Sequence, residues 1–175
     1  IFNYSFMVRG MIAGLFVAVI APIIGIFLIV KRYSLLAETL AHVSLIGVAG
    51  GLLVGFSPLL GAMTVSVLAG IGIEKLRENK KIFSESILAI FLSGSLALAL
   101  VLFSLGSGLG FGMLNYLFGS VTTVSEKELI AIVILSVVGV TAVLVFRKKL
   151  FLISYDEEFA MANGIETRLY NILLI

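Results

Sequence analysis

The sequence contains no cysteine and no tryptophan, and charged residues are few. Without cysteine there is no disulfide framework, no thiolate metal site and no cysteine nucleophile among these residues. Charged residues make up 13% of the chain, whereas a soluble domain has about 25%. The formal net charge of +2 is too small to indicate a nucleic-acid partner. Because 61% of the residues are hydrophobic, the composition predicts a protein whose surface faces lipid.

Long apolar segments recur along the chain. A transmembrane helix needs about 20 apolar residues, because each residue rises about 1.5 Å through about 30 Å of hydrocarbon. Five segments meet this need or come close to it: residues 11–30, 35–54, 59–73, 87–105 and 129–146. A sixth apolar segment begins near Leu169. In lipid they must be helices, since every backbone polar group needs an internal partner. We therefore predict an all-α, polytopic transmembrane helical bundle with five complete spans.

The chain begins at Ile1 rather than at Met, and it ends at Ile175 within an apolar run. We therefore expect a fragment of a longer protein. Residues 1–175 are then one transmembrane domain that is incomplete at its C-terminal end.

Lysine and arginine are concentrated in alternate links. Ten of the twelve lie after spans one, three and five: Lys31, Arg32, Lys75, Arg77, Lys80, Lys81, Arg147, Lys148, Lys149 and Arg168. Cytoplasmic links carry an excess of basic residues in membrane proteins. This pattern predicts that these links are cytoplasmic and that the N-terminus and residues 106–125 face outside.

Glycines at four-residue spacing occur in the first two spans, as Gly10 with Gly14 and as Gly47 with Gly51 and Gly55. Small residues at this spacing let two helix backbones approach closely. The simplest interpretation is packing between helices of one subunit.

Glu38 and His42 lie inside the predicted second span, where ionisable residues are costly and usually face a cavity or a partner. Because they are four residues apart, their side chains share one face of the helix. A carboxylate and a neutral imidazole are suitable ligands for manganese, iron or zinc. Two interpretations are open: a metal-binding position, or a Glu–His pair that satisfies itself and orients the helix.

Two ligands cannot close a structural zinc site, which needs four. A transport path has no need of a closed site, because the ion must leave it. A symmetric dimer with its pore on the two-fold axis would bring two copies of Glu38 and His42 together.

The sequence contains none of the motifs that several enzyme classes require. It has no HExxH metalloprotease motif, no G-x-S-x-G elbow and no Walker A sequence. Ser93 and Ser95 flank a glycine, but nothing around His42 indicates a base for a serine nucleophile. We therefore predict no catalytic residues, and any ATP is hydrolysed by another chain.

The link after span five contains helix signals of its own. Ser154 with Glu157 fits a capping box, Asp156 is a competing cap, and Gly164 suits the left-handed position after a helix end. We predict a short helix over residues 156–163, with Phe159 among the side chains available for contacts. It either rests on lipid headgroups or docks a cytoplasmic partner.

Three segments, residues 25–47, 115–125 and 155–165, resemble the permeases of metal-ion ABC importers, which import zinc, manganese and iron. The first contains Glu38, where the family usually has Asp, and His42, which matches. The second resembles the family's outer loop. The third, followed by Arg168 and Asn171, resembles its coupling segment. The three segments occur in the family's order over nearly the whole chain.

The resemblance implies a pore-forming subunit in the cell membrane that moves a divalent manganese, zinc or iron ion and binds no permanent cofactor. It implies four kinds of partner: a second copy of the permease, a cytoplasmic ABC ATPase, an extracytoplasmic metal-binding protein and the lipid bilayer. Glu38 and His42 would contact the metal. The residues that would couple to the ATPase lie in the cytoplasmic segment 155–165: Asp156, Glu157, Glu158, Phe159, Ala160 and Gly164.

Two other functions are compatible with the same residues. A secondary transporter or cation channel would use Glu38 and His42 as a proton or cation relay, and it would need no ATPase. A structural membrane scaffold would tolerate apolar residues at both positions. The predicted short helix favours the ATPase-coupled permease, because a secondary transporter has no reason to keep it.

The predicted sidedness can be tested with single cysteines, because this sequence contains none of its own. Asn79→Cys, in the basic link after span three, should not react with an impermeant maleimide in intact cells. Ser125→Cys, at the end of the link predicted to face outside, should react and serves as the positive control. Labelling at position 79 in intact cells would show that the sidedness is wrong.

Overall fold

The structure is a computed structural model that describes residues 4–77, 83–106, 116–117, 119 and 124–175. Those residues contain no strand. The helices are α1 (Ser5–Val30), α2 (Leu36–Val54), α3 (Pro58–Arg77), α4 (Ser84–Leu105), α5 (Glu126–Tyr155), α6 (Glu157–Ala162) and α7 (Thr167–Leu174). Helices α1 to α5 are each long and apolar enough to cross a membrane. The prediction of an all-α bundle with five complete spans is confirmed.

Several spans begin earlier than hydropathy predicts, and two run on past their predicted C-terminal ends. Helix α3 continues to Arg77, and α5 continues to Tyr155, so Lys75 and Arg147 lie inside helices rather than in links. Lys and Arg are good helix formers, and in α3 Lys75 and Arg77 lie in the last turn, where cations interact favourably with the helix dipole. At 30 residues, α5 is about 45 Å long, which is longer than the about 30 Å of hydrocarbon that it would cross.

Part of the sequence pattern lies outside the described residues. This applies to Lys80 and Lys81 of the basic link and to most of the segment 115–125 that resembles the outer loop.

The first of two compact units is built on α1 and α5. Arg9, near the start of α1, forms an ion pair with Glu126 at the start of α5, with 3.4 Å between Nη1 and Oε1. Lys31, just after α1, forms an ion pair with Glu157, just after α5, with 3.7 Å between Nζ and Oε2. The two helices therefore run in the same direction, as first and fifth spans do when five helices cross in turn.

The core of this unit lies at the end of α5 that is followed by α6. Buried apolar residues from α5, α6 and α7 pack together there: Val143, Leu150, Ile153, Ala160, Tyr170 and Leu174. Lys149 Nζ donates a hydrogen bond to Tyr170 Oη at 2.8 Å. Packing of Ala160 into this core attaches the short helix α6 to the longer α5.

The second compact unit is built on α2, α3 and α4. Its core contains residues of α2 and α4: Leu45, Val48, Ala49, Ala99 and Phe103. Helices α2 and α3 approach so closely that a Cβ on Gly47 would overlap the Gly61 carbonyl group. A Cβ on Gly51 would lie 3.3 Å from the Pro58 Cα. Gly47 and Gly51 therefore form a helix contact within one subunit, as predicted.

The other glycines of the predicted contacts behave differently. Gly55 is the C-cap of α2, with φ at +76°, a left-handed conformation that glycine adopts without steric cost. In α1, Gly10 is buried, but a Cβ on Gly14 would have nothing within 4 Å. The predicted contact through Gly14 is absent among the described residues.

Replacing Gly47 by alanine should destabilise the protein, because backbone atoms on α3 cannot move aside as a flexible side chain can. Overpacking of this kind costs about 1–3 kcal/mol. Gly50→Ala, on the same helix, is the matched control, because a Cβ there has nothing within 4 Å. Thermal unfolding of the detergent-solubilised variants should give a lower midpoint for Gly47→Ala only. Equal midpoints for the two variants would contradict the close approach.

Candidate functional site

Helix α2 carries the two ionisable residues of the candidate metal site. It begins at Leu36 without a side-chain cap, and Glu38 lies in its first turn. The N-terminal end of a helix carries a partial positive charge, which stabilises a nearby carboxylate. His42 follows one turn later on the same face.

The rotation of α2 is fixed by its buried side. Leu36, Thr39 and Val43 are buried, whereas Glu38 is exposed and His42 is half-buried. The Thr39 hydroxyl lies 2.8 Å from the Leu35 carbonyl oxygen and 3.3 Å from the Leu88 carbonyl oxygen of α4. Because Thr39 is held against α4, Glu38 is turned away from it.

Glu38 and His42 are not hydrogen-bonded to each other in the part of the chain that the structure describes. His42 Nδ1 is buried and has no hydrogen-bond partner among those residues. A self-satisfied Glu–His pair, one of the two interpretations of this spacing, is therefore not what the described residues form. An imidazole nitrogen that is shielded from water needs another partner.

The described residues of one chain supply few potential metal ligands at this position. The described residues contain no group of three or more His, Cys, Asp or Glu side chains that could hold a metal ion together. Glu38 and His42 are thus two donors, whereas a structural zinc site has four. Any complete ion-binding position here needs donors beyond the described residues of one chain.

The segment after α5 folds as a separate short helix, α6, with defined ends. Asp156 is the N-cap, and its Oδ1 accepts a hydrogen bond from the Phe159 N–H at 2.9 Å. At the other end, the Gly164 N–H donates to the Met161 carbonyl at 2.9 Å, and the Ile165 N–H donates to that of Ala160 at 3.1 Å. With φ at +75° for Gly164, these bonds form a Schellman motif.

The predicted capping box of Ser154 with Glu157 is wrong, and the competing cap, Asp156, is the one that forms. Ser154 lies inside α5, is buried, and its hydroxyl has no hydrogen-bond partner among the described residues. Because α5 continues to Tyr155, the chain leaves helical geometry only at Asp156. Asp156 is therefore the residue whose extended backbone lets its side chain reach the next N–H groups.

The predicted coupling residues occupy two sides of α6. Ala160 is fully buried in the core with α5 and α7, and Glu157 is half-buried beside Lys31. The side chains on the other side, Glu158 and Phe159, are exposed, as are Asp156 and Gly164 at the ends. Phe159 is 55% exposed. An aromatic side chain so exposed on a short helix is available for a contact.

The sequence analysis did not predict a buried ionic cluster next to the start of α2. Glu74 of α3 is 1% exposed, and its two carboxylate oxygens accept hydrogen bonds from Arg77 at 2.9 and 3.0 Å. The Arg77 guanidinium lies 4.6 Å from the ring centroid of Tyr33, which is also buried. The Tyr33 carbonyl oxygen in turn accepts a hydrogen bond from the Leu36 N–H, at 3.0 Å. The three-residue spacing of Glu74 and Arg77 was the available signal, but it does not identify Tyr33.

The ion pair between Lys31 and Glu157 was also missed. The Lys31 side chain is 3% exposed and that of Glu157 is 32% exposed. These residues are far apart in the sequence, so no local spacing indicates that they meet.

The chain is similar to membrane proteins of metal transport systems. The model of the ABC 3 transport family matches residues 3–175. A probable metal transport system membrane protein from Treponema pallidum is 34% identical over 163 residues, which are 93% of this chain and 61% of that protein. The manganese transport system membrane protein MntC from Halalkalibacterium halodurans is 27% identical over 173 residues, 99% of this chain and 59% of that protein.

A similar match is found to a probable iron transport system membrane protein from Haemophilus influenzae, with 27% identity over 99% of this chain and 64% of that protein. Among solved structures, PsaBC from Streptococcus pneumoniae in complex with Fab matches with a TM-score of 0.80 and 26% identity. That match covers 98% of this chain and 63% of the other. The chain thus spans about three fifths of the length of these proteins.

Proposed function

The chain belongs to the ABC 3 transport family, and from that membership we propose that it forms the pore of an ATP-driven importer for a divalent transition-metal ion. The proposed metal path rests on Glu38 and His42, which lie on one face of α2. This face is turned away from α4, and the two side chains are not hydrogen-bonded to each other. A carboxylate at this position in a transmembrane helix needs water, an ion or a partner chain beside it.

Manganese or iron is the preferred cargo, and zinc is the third candidate. The names of similar proteins from Halalkalibacterium halodurans and Haemophilus influenzae refer to manganese and iron. Carboxylate oxygen and imidazole nitrogen are ligands that these ions accept. Two donors from one chain bind an ion weakly enough for it to move on, which a transport path requires.

A second copy of the permease completes the path. In a two-fold symmetric dimer the same surface of both subunits meets, so one exposed face of α2 would face its equivalent. Two Glu38 carboxylates and two His42 imidazoles could then surround one ion. The exposure of Glu38 on the side away from α4 supports this arrangement.

Helix α6 is the docking element for a cytoplasmic ABC ATPase. Ala160 attaches it to the permease, while Phe159 and Met161 remain exposed for a groove on the partner. Asp156 and Gly164 fix its two ends, and Glu157 and Glu158 line it with negative charge. An extracytoplasmic binding protein would deliver the ion at the opposite side, where the N-terminus is expected to lie.

Removing the charge at Glu38 should abolish most transport. Glu38→Gln keeps the shape and the hydrogen-bonding capacity of the side chain, and His42→Ala removes the second donor. Uptake of radiolabelled manganese and zinc should fall at least about tenfold in each, since even outer partners of metal ligands change affinity about 10–100-fold. The measurement uses cells that express the full-length permease with its partners.

Two further variants make that experiment decisive. Glu126→Gln, which changes an exposed carboxylate at the start of α5, is the charge control and should transport normally. Near-normal uptake of both metals by the folded double variant Glu38→Leu, His42→Leu would exclude this path. Normal uptake without the ATPase would instead favour a secondary transporter that uses the same two residues as a relay.

Replacing Phe159 by alanine should release the ATPase or uncouple it. A Phe side chain that is buried in a docking groove contributes about 3 kcal/mol or more, which corresponds to a more than about hundredfold weaker contact. Co-purification of the ATPase and metal uptake should both fall. Phe83→Ala is the control, because Phe83, at 86% exposed, is an aromatic residue outside α6 that is even more accessible than Phe159. Wild-type co-purification and uptake for Phe159→Ala would exclude α6 as the docking element.

A further inference from the structure

We propose that Leu144, Arg147, Lys148 and Phe151 on α5 form a binding site for an anionic phospholipid of the surrounding membrane. The phosphate of the headgroup lies between the Arg147 and Lys148 side chains, and the adjoining acyl chains lie against Leu144. We call these four residues the lipid patch. The inference does not rest on the proposed function, because a lipid site on α5 requires neither a metal ion nor an ATPase.

The first support is the position of the four side chains on one side of α5. Arg147 and Lys148 follow Leu144 by three and four residues, so both basic residues lie one turn beyond it on the same helix face. Phe151 follows Lys148 by three residues and extends this face by one more turn. All four residues are exposed. The residues of α5 that are buried in the core lie on another face: Val143, Leu150 and Ile153.

The second support is the depth of the lipid patch in the membrane. At about 1.5 Å per residue, residues 129–146 span about 27 Å, close to the about 30 Å of hydrocarbon in a membrane. Arg147 and Lys148 follow directly, so they lie where hydrocarbon meets the headgroups, with Leu144 on the hydrocarbon side. Phe151 lies on the headgroup side and stacks on Tyr155, with ring centroids 6.4 Å apart. Tyrosine is enriched at this level of a membrane.

The third support is the charge of the lipid patch. Arg147 and Lys148 form no ion pair or hydrogen bond within the part of the chain that the structure describes. The neighbouring Lys149 differs, because it donates to Tyr170 Oη. Two adjacent cations repel each other, and an anion between them offsets this repulsion. An open cleft of about 510 Å³ along residues 144–149 leaves room for a phosphate group, to which arginine can form two parallel hydrogen bonds.

The apolar members of the lipid patch favour a phospholipid over a free phosphate ion. A free phosphate ion would contact the two cations and would make no use of the apolar Leu144 and Phe151 on either side of them. In a phospholipid the phosphate lies next to the acyl chains, which is the order of Lys148 and Leu144 along α5. Basic residues at a membrane surface attract anionic lipids for the same electrostatic reason.

The test compares lipids that differ in headgroup charge alone. The full-length permease is purified, delipidated in a non-ionic detergent and titrated with phosphatidylglycerol or with phosphatidylcholine that has the same acyl chains. Native mass spectrometry then counts the bound lipids and gives their dissociation constants. Phosphatidylglycerol should bind saturably and at least about tenfold more tightly than phosphatidylcholine, because two cations discriminate against the choline charge. Glycerol 3-phosphate, which has no acyl chains, should not displace it at equal concentration.

The double variant Arg147→Gln, Lys148→Gln should bind phosphatidylglycerol about thirtyfold more weakly, the effect expected from the loss of two cations at a membrane surface. Glutamine is a good helix former, so α5 is preserved. The double variant Lys75→Gln, Lys127→Gln is the matched control, because it removes the same total charge at two exposed positions outside the lipid patch. It should keep the wild-type affinity.

Three results would each overturn the inference. They are equal affinity of the wild-type protein for the two lipids, an equal loss of affinity in the two double variants, and displacement of the lipid by glycerol 3-phosphate at equal concentration. The first comparison uses no variant, so it decides the question even if Arg147→Gln, Lys148→Gln is not recovered as a folded protein. None of these results bears on the metal path, because the titration contains neither metal nor ATP.

Discussion

Hydrocarbon offers no partner to a hydrogen-bonding group, and the structure of this chain depends on that constraint. Backbone groups are satisfied within helices, and hydroxyl groups bond to the carbonyl four residues earlier, as Thr39, Thr64 and Thr141 do at 2.7–2.9 Å. Glu74, deeply buried in α3, accepts two hydrogen bonds from Arg77. His42 Nδ1 is one of three buried side-chain atoms without a hydrogen-bond partner among the described residues, the others being Arg9 Nε and Ser154 Oγ. Of these residues, only His42 shares a helix face with an exposed carboxylate inside a span, Glu38, which is why these two carry the functional proposal.

Helix α2 connects the packing of the protein with its function. Gly47 and Gly51 bring it against α3, and the Thr39 hydroxyl holds it against α4. These contacts fix which residues of α2 are covered, and they leave Glu38 on an exposed side. The position of a candidate metal ligand is therefore set by small and hydroxyl-bearing residues on the other sides of the same helix.

The predictions from sequence succeeded where the physical signal is local. Hydropathy identifies five spans, and Asp156 and Gly164 identify α6, because a cap and a left-handed glycine act within a few residues. Helix ends were less predictable: α5 runs on to Tyr155 because basic residues end the apolar pattern without ending the helix. Contacts between distant residues, such as Lys31 with Glu157, leave no periodic trace in one sequence. The same holds for the orientation of Glu38, which depends on what α3 and α4 cover.

The central claim is that His42 is a ligand of the transported ion. Pulsed electron paramagnetic resonance of Mn²⁺ bound to the full-length permease tests this directly, because modulation from an imidazole nitrogen appears only when histidine coordinates the ion. We predict nitrogen modulation in the wild-type protein and its loss in His42→Ala, with Mn²⁺ still added at saturating concentration. Nitrogen modulation that persists unchanged in His42→Ala, or is absent from the wild type with Mn²⁺ bound, would contradict the account.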